Sequence, residues 1–240
     1  MRLNDGRVLV AGGWHNESGD VIGGDATASA EVYDPEAASW TSQAEMSDKR
    51  WAFSLTLLAD GRVMAVGGFD GSGPEASRLS TTEIYDPSTG LWNAAAPLTT
   101  GRAWHEAQIL PSGRVFVVGG ENQAGEVLAS SEIYDPVTNT WSAGPSLPEP
   151  AEDMASLVLP SGRVLIAGGF GRSMTSTMAS ADQVNLFDES SACFEAFAPL
   201  QTARWHFGLA RLPDGRVMAS GGWTDRGPTS SVEVSSVAIE

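Results

Sequence analysis

Leu110-Pro111-Ser112-Gly113-Arg114-Val115-Phe116-Val117-Val118-Gly119-Gly120 is the stretch whose reading decides the fold. A Pro-Ser-Gly turn leads into four apolar residues that a glycine pair ends, a run too short for a helix and too continuous for a half-exposed strand. The spacing predicts a β-strand buried on both faces. The stretch recurs. Gly6-Arg7-Val8, Gly61-Arg62-Val63, Gly113-Arg114-Val115, Gly162-Arg163-Val164 and Gly215-Arg216-Val217 each run on to a pair: Gly12-Gly13, Gly67-Gly68, Gly119-Gly120, Gly168-Gly169 and Gly221-Gly222. Successive copies lie 55, 52, 49 and 53 residues apart, a period that points to propeller or solenoid units.

The rest of each unit keeps the same ruler. Tyr33, Tyr85, Tyr134 and Phe187 stand seven residues before Trp40, Trp92, Trp141 and Phe194. Ten residues further come Arg50, Arg102, Ala151 and Arg204, and eleven more reach the next Gly-Arg-Val. All variation in length falls between the glycine pair and the Tyr position, so one loop class absorbs it. Each unit reads as four short strands, with Asp-Pro turning the third into the fourth. No segment carries helical periodicity, and the chain is expected to be all-β.

Composition narrows the partners. In 240 residues, 30 Asp and Glu face 14 Lys and Arg, a net charge of −16, which disfavours nucleic acid. No apolar run is long enough for a membrane span. Cys193 is the single cysteine, so neither an intrachain disulfide nor a cysteine zinc cluster can form.

The double glycine, the Tyr-Asp-Pro and the Trp seven residues after the Tyr resemble the Kelch family of β-propellers, and the resemblance covers nearly all of residues 1–240 as one domain. It implies four-stranded blades around a central channel, with units at about 1–49, 50–101, 102–150, 151–203 and 204–240. Three of these are complete and the first and last are partial, so about five blades are expected, either as a five-unit ring with a defective closure or, the favoured reading, as part of a six- or seven-bladed ring. Many bacterial Kelch proteins similar to this one are secreted or surface-attached, which favours an extracellular or cell-surface place. The propeller also resembles the central domain of galactose oxidase. That family's copper site needs tyrosines and a crosslinked cysteine, whereas Tyr33, Tyr85 and Tyr134 hold repeat positions and His206 occupies a tyrosine slot. No cofactor or metal is expected.

Three groups of residues are candidates for a site. The lead-in to the first strand brings Arg50-Trp51, Arg102-Ala103-Trp104-His105, Ala151-Glu152-Asp153 and Arg204-Trp205-His206. Arginine forks and indole faces there suit an anion or a sugar, and the fourth unit substitutes carboxylates. A second reading has the arginines pair with the repeated Glu31, Glu83, Glu132 and Glu233 or with backbone carbonyls. The aromatic after the glycine pair, Trp14 or Trp223, is the next candidate, and the variable loops are the third. Asn16-Glu17-Ser18-Gly19-Asp20 offers oxygen ligands without calcium-loop spacing. The expected function is a non-enzymatic module binding a protein segment or a glycan. The alternative is a carbohydrate-active enzyme resembling Kelch sialic acid mutarotases, with Arg102 or Arg204 holding a carboxylate and Glu152 or Asp153 as acid or base.

Overall fold

A computed structural model describes residues 1–15, 25–71, 76–172 and 178–239. Every regular element among them is a strand. In the first unit β1 is Val8–Ala11, β2 Trp14–His15, β3 Asp25–Ala26, β4 Ala30–Asp34 and β5 Ser39–Ser42. The second unit carries β6 Ser54–Leu57, β7 Val63–Val66, β8 Thr82–Asp86 and β9 Leu91–Ala95. In the third, β10 is Glu106–Ile109, β11 Val115–Val118, β12 Ser131–Asp135 and β13 Thr140–Ala143. The fourth holds β14 Ala155–Val158, β15 Val164–Ala167, β16 Phe170–Arg172, β17 Met178–Ser180, β18 Val184–Asp188 and β19 Cys193–Phe197. The fifth holds β20 Gly208–Arg211, β21 Val217–Ser220, β22 Trp223–Thr224, β23 Gly227–Pro228 and β24 Val232–Val234.

These form five antiparallel blades of a β-propeller. Blades two, three and four are four-stranded meanders, β6-β7-β8-β9, β10-β11-β12-β13 and β14-β15-β18-β19. The first blade is β1-β4-β5 and the fifth β20-β21-β24. Short hairpins, β2-β3, β16-β17 and β22-β23, stand in three of the variable loops. The repeat ruler did not reveal them, because a two- or three-residue strand leaves no periodicity to read. The Asn16–Asp20 oxygen-ligand stretch lies outside the described residues.

Packing explains the ruler. The second strands β7, β11 and β15 are buried along their whole length, as four consecutive apolar residues require when both sheet faces are covered. The arginine of Gly-Arg-Val closes the turn before it: Arg62 donates from its backbone and Nε to Asp60, at 3.1 and 2.8 Å, and Arg216 does the same to Asp214. The turn after the third strand ends at a left-handed residue, Gly90 at φ 73° and Asn139 at φ 52°. Ala38 and Ala192 take the same conformation without glycine's freedom.

Residues cluster into two compact units. One comprises Met1–Ala103 with 122–124 and 134–141, the other the remainder of 104–240. In the first, Leu9, Ala30, Val32 and Met46 pack on Val63, Ala65 and Tyr85, with Trp92 at the rim. In the second, Phe116 stacks on Phe187 with ring centroids 4.1 Å apart, inside a cluster that includes Leu110, Ile133, Val164 and Ile166. Leu165, Val184, Val217 and Ile239 belong to a further cluster.

Candidate functional site

The glycine pair is a latch between a blade and the lead-in to the next. The backbone N–H of Gly13 donates to the Arg50 carbonyl, Gly68 to Arg102 and Gly169 to Arg204, each at 2.8 Å. A Cβ on Gly68 would sit 2.6 Å from the Trp51 carbonyl, and one on Gly222 would sit 2.7 Å from that of Trp205. Both glycines also have positive φ, at 94° and 92°. A side chain at these positions is excluded twice, by space and by backbone conformation.

The lead-in arginines turn inward. Arg50, Arg102 and Arg204 are all 0% exposed. Arg50 donates from Nη1 to the Gly67 and Thr81 carbonyls and from Nη2 to Glu83 Oε1, at 2.8, 3.3 and 2.8 Å. Glu83 also accepts from the N–H groups of Ser47 and Asp48. Arg204 repeats the pattern on Gly221, Ser231 and Glu233, and Gln201 and Thr202 supply the N–H groups to Glu233. Burial raises the Glu83 carboxyl, but the Ser47 N–H and the Arg50 guanidinium outweigh it and hold it below the ordinary carboxylate range. Blade four exchanges both partners together: Ala151 replaces the arginine and Asn185 the glutamate. Asn185 is 3% exposed, and its amide lies 3.5 Å from Gln183 Oε1. An anion grip built from Arg50 and Arg204 is therefore corrected to an internal ion pair, because both guanidinium groups are buried and their Nη donors are spent on carbonyls, hydroxyls and a carboxylate. Arg102 offers no exposed guanidinium either.

What the lead-in presents instead comes from the next residues. Trp104, Asp153 and His206 hold equivalent places and all have left-handed backbones, with φ of 53°, 51° and 51°. The Asp153 N–H donates to the Trp104 carbonyl at 3.0 Å, and the His206 N–H to the Asp153 carbonyl at 3.1 Å. Such φ values cost energy in non-glycine residues and persist only where surroundings enforce them. Here the chain of backbone bonds does so. It lines three side chains along one edge, where the first strands β10, β14 and β20 lie side by side.

Two of the sequence candidates are brought together there. Trp205 bridges Trp223, and their rings stack with centroids 5.9 Å apart. Phe170 also packs on Trp205, with ring centroids 5.6 Å apart. Lead-in and post-glycine aromatics thus form one ladder, Phe170–Trp205–Trp223, whose end member is 47% exposed. His105 and Glu152 are buried, at 6% and 7% exposed, and do not belong to its open surface. In the second blade Trp51 stacks on Phe69 at 4.8 Å, and in the first Trp14 is exposed on β2, opposite Ala26.

Beside the ladder lies a carboxylate pair. Asp153 Oδ2 is 3.3 Å from His206 Nδ1. Burial pushes its carboxyl up to about 6, against the pull of His206. On β10, Glu106 Oε2 accepts from Ser156 Oγ at 2.6 Å, and Gln108 Nε2 donates to the same hydroxyl at 2.9 Å. Burial pushes Glu106 to about 7, offset by the Ser156 bond and reinforced by the charge of Asp153. Sequence reasoning missed Glu106 and Ser156. The signal was there: four residues past the arginine position stand Ser54, Glu106, Ala155 and Gly208, and only one of these is charged. Among the described residues no group of three or more metal-ligating side chains is placed to hold an ion.

Comparison with known proteins places these features in a family. The Kelch motif model matches residues 3–47, 54–99 and 112–148. Mouse Kelch-like protein 35 is 39% identical over 88 residues, covering 36% of this chain and 14% of that protein. The human Kelch-like protein 35 is 34% identical over 119 residues, covering 49% and 18%. An F-box/kelch-repeat protein of Arabidopsis thaliana is 32% identical over 120 residues, covering 49% and 29%. The chain thus spans less than a third of the length of these relatives. A solved structure of YjhT superposes with a TM-score of 0.77 at 14% identity, covering 96% of this chain and 81% of that one, a likeness of fold.

Proposed function

This chain belongs to the Kelch-repeat family of β-propellers, a fold that supports protein interaction in general, and from that premise we propose a non-enzymatic module. Its binding surface is the lead-in edge of blades four and five, and its partner is a protein segment. The observation that carries the reading is Trp223, stacked on Trp205 yet 47% exposed. A large aromatic held rigid by a neighbour loses little further entropy on binding and is the side chain most often found at the centre of an interface. The variable loops flank it. Asp225 on the β22–β23 turn accepts from the N–H and Oγ of Ser180 on β17, at 2.8 and 2.7 Å, so the loops of two blades are tied into one surface.

An exposed indole also suits a sugar ring, and the experiment separates the two. A random peptide library displayed on phage is selected against the wild-type chain and against Trp223→Ala, and a glycan array is probed with both. Segments enriched on the wild type and lost on Trp223→Ala support the reading. Tryptophan-dependent glycan capture without such segments would replace it with the carbohydrate reading, and no Trp223-dependent capture of either kind would overturn it.

A further inference from the structure

We infer that this lead-in edge of the second compact unit receives a cationic side chain, lysine or arginine, of a protein partner, beside the Trp205–Trp223 indoles and the carboxylates of Asp153 and Glu106. The inference rests on the interaction reading above and adds the chemistry of the partner.

Three observations converge on it. Two other carboxylates of the second compact unit have arginine: Glu233 pairs with Arg204 at 2.7 Å and Glu189 with Arg114 at 2.7 Å. Glu106 and Asp153 do not. Among the described residues Glu106 is held by the Ser156 hydroxyl alone and Asp153 has His206 as its ion-pair partner. Charges removed from water without a counter-charge favour any cation that reaches them. Second, the Trp205 indole lies against His206, the partner of Asp153, and a cation over an indole gains from the ring quadrupole. Third, His206 already shows the geometry of such a guest. Its imidazole lies 3.3 Å from Asp153 and 5.4 Å from the Trp205 ring centroid, with its side chain 56% exposed.

Other charges around the edge do not fill this role. Arg204 is buried beneath it on Glu233. Glu152 and His105 are buried, and Arg226 is exposed on the β22–β23 turn. The chain's net charge of −16 adds long-range attraction for a basic segment. The same titrations give the site a pH signature. Between pH 5.5 and 8 Glu106 and Asp153 lose protons, so the guest gains anions.

The test uses the whole chain and an acetylated, amidated nonapeptide of alternating glycine and lysine, with the glutamate analogue as control, in calorimetric titrations at pH 5.5 and 8. Expected are binding of the lysine peptide alone, at least tenfold tighter at pH 8, and a loss of tenfold or more on Asp153→Asn or Glu106→Gln, with thermal melts showing the variants folded. Binding of both peptides alike, or lysine-peptide binding unchanged in both folded variants, overturns the inference. Because Trp223→Ala is tested separately, selection of neutral or acidic segments that still need Trp223 refutes the cation while leaving the interaction surface intact.

Discussion

Arg50→Ala tests whether the lead-in arginines are internal struts. Arg50 is 0% exposed, and its partner Glu83 has a side chain 3% exposed. Truncation removes the donors to the Gly67 and Thr81 carbonyls and leaves the Glu83 carboxylate with only the N–H groups of Ser47 and Asp48. Breaking a buried pair from one side costs about 3–5 kcal/mol, since the remaining charge keeps its desolvation penalty. Blade four supplies the repair. There Ala151 is accompanied by Asn185, with Gln183 where blade two has Thr81. Arg50→Ala combined with Glu83→Asn and Thr81→Gln is therefore expected to recover all but about 1–2 kcal/mol, because no unpaired charge remains. Urea unfolding at pH 7 measures all the variants. A loss under about 1 kcal/mol for Arg50→Ala, or a triple variant no more stable than the single, would refute the strut reasoning. Acid adds a sign. Glu83 is held below its ordinary value, so its contribution is present above the unfolded carboxyl range and lost as pH falls through its folded value. The difference between wild type and the triple variant should shrink toward pH 3.

Glu106 behaves oppositely. Its folded value of about 7 lies above the unfolded one, so its contribution is full in acid and lost as pH rises through 7; Glu106→Gln is expected to stabilise the chain at pH 8 by about 1–3 kcal/mol and to change little at pH 4. Gly68→Ala, with positive φ and no room for a methyl group, should cost more than about 2 kcal/mol in the same unfolding assay. Trp223→Ala, at a half-exposed position, should cost less than about 1 kcal/mol while abolishing capture of selected peptides; a large loss of stability would make the residue packing.

The architecture was legible because the strand-two runs, glycine pairs and Tyr–Trp intervals are imposed by backbone latches and buried sheets that the three middle blades repeat in full. The site was legible only in part. Its residues are departures from the repeat, and a departure carries no spacing. Glu106 stood out only once the lead-ins were aligned on the arginine position, and the depth of Asp153 depends on neighbouring blades. Trp205 and Trp223 lie 18 residues apart in sequence and meet through a strand bridge that neither segment shows alone. The arginines left two readings open for a physical reason. A fixed Arg reads equally as a ligand fork or as a strut, and only its burial separates the two.

The most direct measurement follows the indole N–H signals of the eight tryptophans by NMR while a selected peptide is titrated into the chain. The account expects Trp205 and Trp223 to shift together along one binding curve, with Trp40 and Trp92 on their fourth strands unmoved. Shifts confined to Trp40, Trp92 or Trp141, with Trp205 and Trp223 silent, would contradict it.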